Sequence, residues 1–205
     1  MKTTSVTMVM AHPDDEILWG WPIFFEDKYK VEILMCSSDA HNPERQWCNH
    51  RKEPLQRLCQ MYNVPLTCLD YNSGFYKTPS RKAEPPLLSD VYSDISQRVS
   101  EIKTAYIFSH NPMGEYGHFD HRLLFNICLE NSKSPILITD MCMESNWPSY
   151  DAIPGGMAIF YKNKISNHSL QMERYTKAKK MYEDVGVWTW SRKEITTCGL
   201  FRVDI

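Results

Sequence analysis

Short apolar runs alternate along the chain with segments in which apolar residues recur every three or four positions. The short runs are typical of buried strands, and the spaced pattern is typical of amphipathic helices. Strands are predicted at residues 5–11, 31–38, 66–71, 104–110, 135–141 and 156–164, with an edge strand at 195–205. Helices are predicted at residues 14–27, 52–63, 87–103, 118–131 and 169–185. This order predicts an α/β fold, Rossmann-like and three-layered, with a mostly parallel sheet.

Length and composition predict one globular domain over residues 1–205. The chain has 205 residues, of which 42% are hydrophobic, which is enough for a sizeable core. The formal net charge of −2 argues against nucleic acid or an anionic membrane as the main partner, because both favour a basic excess. Residues 71–86 are the longest predicted loop. The sequence is consistent with a mobile lid and also with an ordinary surface loop.

Cysteine usage and apolar segments bear on the compartment. The seven cysteines, an odd number without a CxxC pair, predict reduced thiols in a cytoplasmic protein. The N-terminus has no apolar stretch typical of a signal peptide. The run ILWGWPIFF at residues 17–25 is too short to span a bilayer and predicts a buried helix. The alternative is that this run forms a surface that contacts a lipid or a second subunit. In the second case the protein would be a homo-oligomer.

Two polar clusters lie where predicted strands end and predicted helices begin. AHPDDE, residues 11–16, follows the first strand, and NPMGEYGHFDHR, residues 111–122, follows the fourth. Ligands of open α/β sheets bind outside the carboxyl ends of the strands, so both clusters are expected at the same edge of the sheet. Pro13 stiffens the first turn. Asp14 and Asp15 then leave the chain in different directions, so they can have different functions.

The side chains of these clusters suit a transition metal. The candidates are His12, Asp14, Asp15, His118, Asp120 and His121. His118 and His121 are three residues apart and share a face of one helical turn. Two imidazoles and a carboxylate with an open position suit catalytic Zn²⁺, and they also suit non-haem Fe²⁺. Taken alone, Asp14 or Asp15 is more often a helix cap.

The motif AHPDDE, followed about a hundred residues later by GEYGHFDHR, resembles the PIG-L/LmbE family of metal-dependent de-N-acetylases. The resemblance extends over residues 4–140 and weakens after them. It implies an LmbE-like α/β fold and removal of an N-acetyl group from an amino sugar or an N-acetylglucosamine-type conjugate. It also implies Zn²⁺ as the cofactor, with Fe²⁺ as the alternative. The lack of a membrane segment favours a soluble small-molecule substrate.

The resemblance implies a role for each matching residue. It implies metal ligands at His12, Asp15 and His121, a general base at Asp14, and at His118 a histidine that stabilises the oxyanion or protonates the leaving amine. In the implied amide hydrolysis, Asp14 accepts a proton from water. His118 is expected to be protonated when it meets the developing oxyanion.

Other positions near these motifs are candidates for supporting roles. The family usually has proline and aspartate between the two histidines of the second motif, where this chain has Phe119 and Asp120. Asp120 is expected to orient His121, because metal-bound histidines usually donate their second N–H to a carboxylate or carbonyl. The segment HRKE, residues 50–53, resembles an arginine-rich helix start of the family. Arg51 is therefore the candidate substrate contact, with an ordinary surface arginine as the alternative.

Two other functions stay open from the sequence. One is an Fe²⁺ enzyme that activates oxygen on the same two histidines and one carboxylate. The other is a catalytically silent protein that binds a carbohydrate or a nucleotide sugar. Trp188 and Trp190 are candidates to stack on a sugar ring, with core or edge packing as the alternative. Asp14 favours hydrolysis, because a base beside a metal site has no evident task in either alternative.

Overall fold

One seven-stranded sheet forms the centre of the described structure. The computed structural model describes residues 3–38, 50–73, 88–142, 162–188 and 190–204. The strands are β1 (Thr4–Met10), β2 (Tyr29–Ser37), β3 (Leu66–Tyr71), β4 (Tyr106–Ser109), β5 (Ile136–Thr139), β6 (Asn163–Ser169) and β7 (Thr197–Val203). They lie in the order β3-β2-β1-β4-β5-β7-β6. The first five strands of this order pair in parallel, and β7 pairs antiparallel with β5 and β6.

The strand order reverses at β1, which positions the candidate site. β2 and β3 follow on one side of β1, whereas β4 and β5 lie on the other side. In α/β sheets such a reversal opens a crevice at the carboxyl ends of the strands. β1 and β4 end side by side, because Val9 pairs with Ser109. The two polar clusters predicted at one edge of the sheet therefore do follow adjacent strand ends.

Helices cover both faces of the sheet. The described residues contain α1 (Asp15–Leu18), α2 (Trp21–Phe24), α3 (Lys52–Met61), α4 (Leu88–Glu101), α5 (Gly114–Gly117), α6 (Phe119–Asn131) and α7 (Met172–Asp184). Met8 and Met10 of β1 belong to the apolar cluster that includes α1, α2, α3 and α7. Val9 and Ala11 belong to the cluster that includes α4 and α6. The two clusters confirm the predicted three-layer α/β fold, because side chains alternate between the faces of a sheet.

The helix predicted at residues 14–27 is two single-turn helices, α1 and α2, that meet at Gly20. A Cβ atom at Gly20 would lie 2.2 Å from Cε of Met8 and 2.9 Å from the carbonyl oxygen of Glu16. Glycine therefore lets the chain pass close to β1 at this point. Pro22 follows in the first turn of α2, where its missing N–H costs no helical hydrogen bond.

The apolar run at residues 17–25 packs inside the chain. Its side chains lie in the core cluster between the sheet and α7. This agrees with the interpretation as a buried segment and leaves the run no exposed apolar face for a subunit contact. No helix within the described ranges is both long and apolar enough to cross a membrane. The six cysteines in those ranges form no disulfide.

The C-terminal part of the sheet differs from the prediction. The edge position predicted for the tail is wrong, because β7 lies between β5 and β6 and its Leu200 is fully buried. The outer strand is β6, which is mostly exposed and lacks the apolar pattern that marks a strand in sequence. Of the strand predicted at 156–164, only Asn163 and Lys164 belong to β6. Residues 156–161 lie outside the described residues, as do residues 74–86 of the predicted long loop.

Candidate active site

The turn between β1 and α1 gives Asp14 a left-handed backbone. Its φ is 99° and its ψ is −21°, a region that residues with a Cβ atom adopt rarely. Asp14 is the N-cap of α1 through its carbonyl oxygen, which accepts the N–H groups of Ile17 and Leu18. Its side chain makes no capping hydrogen bond. The carboxylate instead pairs with Arg51, whereas Asp15 faces the histidines.

Three side-chain atoms predicted to bind metal converge on one point. Nδ1 of His12 lies 3.2 Å from Oδ2 of Asp15 and 3.2 Å from Nε2 of His121. The distance from Nε2 of His121 to Oδ2 of Asp15 is 3.3 Å. Tetrahedral zinc with bonds of about 2.0–2.1 Å places neighbouring ligand atoms about 3.3–3.4 Å apart. These three atoms, called the ligand triangle below, therefore have the spacing of one face of a tetrahedral zinc site.

Two buried carboxylates hold the histidine rings of the ligand triangle. Oδ2 of Asp120 lies 2.9 Å from Nε2 of His12, and Oε2 of Glu115 lies 2.6 Å from Nδ1 of His121. Each contact engages the ring nitrogen outside the triangle, so it fixes both the tautomer and the orientation of the ring. The expectation that Asp120 orients His121 is corrected, because Asp120 contacts His12 and Glu115 contacts His121. The left-handed backbone of Glu115, with φ of 57°, gives its side chain this direction.

His110, directly after β4, belongs to the same buried network. Its Nδ1 lies 3.1 Å from Oε2 of Glu115, and its Nε2 accepts the N–H of Ala11 at 3.1 Å. Its ring stacks on that of His121, with 3.7 Å between the centroids. Neither His110 nor Glu115 was predicted as a site residue. Their position in the sequence could have indicated them, because both lie in the segment that joins β4 to His118.

The charges in this network compensate one another. Burial by itself lowers the pKa of His12, but contacts with Asp120 and Asp15 outweigh it and raise that pKa to about 9. Burial by itself raises the pKa of Asp15, yet His121 and His110 hold that pKa well below its usual range. A buried carboxylate stays ionised where hydrogen bonds and favourable electrostatic contacts offset the cost of desolvation. The donor set therefore suits a divalent cation, whose positive charge would neutralise the same carboxylates.

Arg51 is buried beside Asp14, so the interpretation as an ordinary surface arginine is wrong. Its Nη2 lies 2.5 Å from Oδ2 of Asp14 and donates to the carbonyl oxygen of Pro13 at 2.5 Å. Burial raises the pKa of Asp14 to about 6, against the lowering effect of Arg51. Arg51 also lines the cavity described below, so it is placed to contact a ligand as well.

His118 is the N-cap residue of α6. Its ring centroid lies 4.7 Å from that of His12 and 4.6 Å from that of His121. The three rings each offer a nitrogen within 4.8 Å of the others. Burial, together with the neighbouring rings of His121 and His12, lowers the pKa of His118 to about 3. The ring is therefore neutral at pH 7 in this structure, in contrast to the protonated imidazole expected from the sequence.

An open cavity of about 140 Å³ leads to the ligand triangle. Within the described residues it is lined by His12, Asp14, Asp15, Leu18, Trp19, Arg51, Ser73, Tyr116, His118 and Trp190. Trp19, Tyr116 and Trp190 form an aromatic wall, with centroids 5.3, 5.5 and 5.9 Å apart. Trp188 packs against Tyr182 instead. Of the two predicted stacking residues, only Trp190 is placed at the cavity.

Comparison with known proteins supports the fold. No family model matches the sequence, and no curated protein matches it. The chain is similar in structure to GalB, the 4-carboxy-2-hydroxymuconate hydratase from Pseudomonas putida KT2440. The TM-score is 0.58 at 12% identity, over 99% of this chain and 97% of that one.

Two solved deacetylases have a similar structure. One is a deacetylase in the biosynthesis pathway of teicoplanin, with a TM-score of 0.57 at 13% identity over 98% of this chain and 99% of that one. The other is Dbv21, the A40926 pseudoaglycone deacetylase, with a TM-score of 0.56 at 11% identity over the whole of both chains. At these identities the likeness defines the class of fold: a three-layer α/β domain shared with deacetylases and a hydratase.

Proposed function

We propose that this protein is a zinc-dependent hydrolase of the PIG-L/LmbE family that removes the N-acetyl group from an amino sugar or an N-acetylglucosamine-type conjugate. The observation that carries the proposal is the ligand triangle, with the carboxylate of Asp14 in the same cavity. The sequence motifs that contain these residues support it. Two structural neighbours that are deacetylases by name support it further.

His12, Asp15 and His121 would hold the ion. Two imidazole nitrogens and one carboxylate oxygen beside an open cavity are a donor set of catalytic zinc sites. Bound there, zinc supplies an activated water and polarises the acetyl carbonyl. Fe²⁺ suits the same donors, so the identity of the metal is part of what has to be tested.

Asp14 is the general base of the proposed reaction. Its carboxylate takes a proton from the water that adds to the acetyl carbon. Arg51 holds this carboxylate through the 2.5 Å contact and favours its ionised form. When the bond between the acetyl carbon and nitrogen breaks, the proton passes to the amine. The products are acetate and a free amine, and Asp14 is ionised again.

His118 acts as a neutral hydrogen-bond donor in this proposal. Burial keeps its pKa low, so it has one N–H and no charge at pH 7. A neutral imidazole can stabilise a carbonyl oxygen that gains negative charge. This role replaces the protonated His118 inferred from the motif.

The proposed substrate is a soluble small molecule in the cytoplasm, and nucleic acid is not proposed as a partner. The aromatic wall at Trp190 suits the apolar face of a sugar ring. Arg51 offers a cationic donor to a hydroxyl or a phosphate of a conjugate. Both residues line the cavity.

The likeness to GalB supports a second candidate, the addition of water to an unsaturated carboxylic acid. That reaction also needs a base that activates water, and Asp14 offers one. The two candidates differ in the bond that changes, because only the hydrolase releases an amine. A product assay therefore separates them.

The first experiment combines elemental analysis with an amine-release assay. Wild type, Asp15→Ala and Asp14→Asn are purified without added metal, and the exposed Asp27→Asn variant serves as the control. We expect about one zinc per chain in all of them except Asp15→Ala, which loses a ligand. On a panel of N-acetyl amino sugars and their nucleotide conjugates, Asp14→Asn should lose at least about a hundredfold in turnover.

Each result of this experiment has a clear meaning. Turnover of Asp14→Asn within a few-fold of wild type would remove Asp14 from the proposed role. Iron in place of zinc, with oxygen uptake in the presence of a 2-oxo acid, would favour the oxygen-activating alternative. Hydration of an unsaturated carboxylate without amine release would favour the second candidate. A metal-loaded protein that binds sugars without turnover would favour the silent binding protein.

A further inference from the structure

A chain of hydrogen bonds connects α7 to the backbone of Asp14. The hydroxyl of Tyr182 donates to Oε1 of Glu16 at 2.6 Å. Oε2 of Glu16 accepts the backbone N–H of Asp14 at 3.0 Å. Tyr182 and Glu16 are 166 residues apart in the sequence. The C-terminal helix therefore reaches the turn that carries the proposed general base.

The conformation of Asp14 needs support from its surroundings. A residue with a Cβ atom at φ 99° costs on the order of 1–3 kcal/mol and persists only where neighbouring contacts hold it. The carbonyl side of Asp14 is held by α1, through the N–H groups of Ile17 and Leu18. The amide side is held by Glu16. The hydrogen bonds on both sides of Asp14 together determine where its carboxylate lies.

Glu16 and Tyr182 are both fully buried, at 0% exposure. Burial raises the pKa of Glu16 to about 8, and a buried carboxyl group is costly unless its oxygens have hydrogen-bond partners. Here the two oxygens have separate donors, one from Tyr182 and one from the backbone of Asp14. The last torsion of a glutamate side chain is broad, so one hydrogen bond alone does not fix the plane of the carboxylate. The hydroxyl of Tyr182 therefore sets the orientation in which Glu16 meets Asp14.

We propose that Tyr182 and Glu16 are positioning residues, which hold Asp14 in the left-handed conformation that directs its carboxylate into the cavity. The catalytic consequence rests on the proposed function, in which Asp14 is the general base. The structural coupling from Tyr182 through Glu16 to the amide of Asp14 does not depend on it. The two parts are measured separately.

The test compares Tyr182→Phe with Tyr175→Phe. Both tyrosines are buried on α7 in the same core cluster, but Tyr175 is outside the chain of hydrogen bonds to Asp14. Hydrogen exchange of the Asp14 amide is measured by NMR, and kcat, KM and zinc content are measured on the same samples. We expect exchange of the Asp14 amide to be about tenfold faster in Tyr182→Phe, because its hydrogen-bond acceptor is no longer held. We also expect kcat to fall about tenfold at unchanged KM and zinc content, and Tyr175→Phe to match wild type in both.

Glu16→Met is the second variant, and it carries the test if Tyr182→Phe does not fold, because methionine has a similar volume but offers no oxygen to the Asp14 amide. It should speed exchange of the Asp14 amide, and Tyr182→Phe added to it should have little further effect. Equal exchange of the Asp14 amide in wild type and in these variants would overturn the coupling. If wild type releases no amine from any N-acetyl sugar, the proposed function fails, while the exchange rates still decide the coupling. Faster exchange with an unchanged kcat would overturn the positioning role.

Discussion

Asp14 and Asp15 are neighbours in the chain, yet they have different partners. Asp15 contributes to the ligand triangle, whereas Asp14 pairs with Arg51. The left-handed backbone at Asp14 separates the two carboxylates. The pKa values of the two acids shift in opposite directions, because His121 and His110 lower the pKa of Asp15 whereas burial raises the pKa of Asp14. The two acids are therefore not interchangeable.

Glu115→Gln is expected to weaken zinc binding by about 10- to 100-fold, the usual effect of removing a carboxylate that orients a metal-bound histidine. Oε2 of Glu115 contacts the ring nitrogens of both His121 and His110, so the neutral amide cannot serve both in the same way. Zinc affinity is measured by competition with a chelating dye. The surface variant Glu101→Gln is the control. An unchanged affinity would show that Glu115 has only a packing role.

Zinc affinity is expected to increase with pH up to about 9. Contacts with Asp120 and Asp15 raise the pKa of His12 to about 9 against the effect of burial, so in the metal-free protein this ring carries an extra proton at pH 7. A histidine must lose that proton to bind zinc, which costs about tenfold in affinity for each pH unit below the pKa. Calorimetry at pH 7.5 in buffers of different ionisation enthalpy measures the proton released. A binding heat that is independent of the buffer would contradict this prediction.

The elements around the site are short where they approach the crevice. α1 and α2 are single turns, and the break between them at Gly20 lets the chain pass close to β1. A helix this short has little stability of its own, so packing must hold it. The core cluster shared with α7 supplies that packing. The geometry of the turn after β1 therefore depends on a helix from the other end of the chain.

Gly20→Ala is expected to lower the free energy of unfolding by about 1–3 kcal/mol, as overpacking of a core usually does. The added Cβ would lie 2.9 Å from the carbonyl oxygen of Glu16, so the backbone of α1 must shift. Urea unfolding followed by circular dichroism measures the change. Gln60→Ala on the exposed side of α3 should stay within about 0.5 kcal/mol of wild type. Equal midpoints for both variants would mean that the turn has room for a methyl group.

In the described part of the molecule, two apolar layers enclose the sheet. Neither layer includes the ligand triangle, which lies at the end of the strands. The apolar layers supply most of the driving force for folding, because they remove the largest apolar area from water. The fold is therefore expected to persist when the metal is removed.

Protection of buried thiols tests this expectation. Burial raises the pKa of Cys59, Cys128 and Cys198 to about 12, and it raises the pKa of Cys36 well above its usual value. These four thiols should resist iodoacetamide at pH 8, both with and without EDTA, and react fully in urea. Peptide mass spectrometry identifies the alkylated residues. Labelling that appears only after EDTA treatment would show that the metal holds the core together.

The pattern of the sequence determined the order of most elements and the location of the site. The spacing of apolar residues reflects which positions are buried. It therefore correctly predicted the parallel strands and the helices α3, α4, α6 and α7. The polar clusters at strand ends correctly predicted where the crevice lies. The exposed strand β6 and the interior position of β7 escaped prediction, because pairing between strands far apart leaves no periodic signal in either strand.

By itself, the sequence determined the class of fold and the residue types that meet at the end of β1 and β4. Only the tertiary structure decided which carboxylate holds which histidine, that Arg51 pairs with Asp14, and that Tyr182 reaches Glu16. The physical reason is that periodicity reports on the burial of single residues. Hydrogen bonds depend instead on backbone torsions and on atoms about 3 Å apart whose residues lie far apart in the chain.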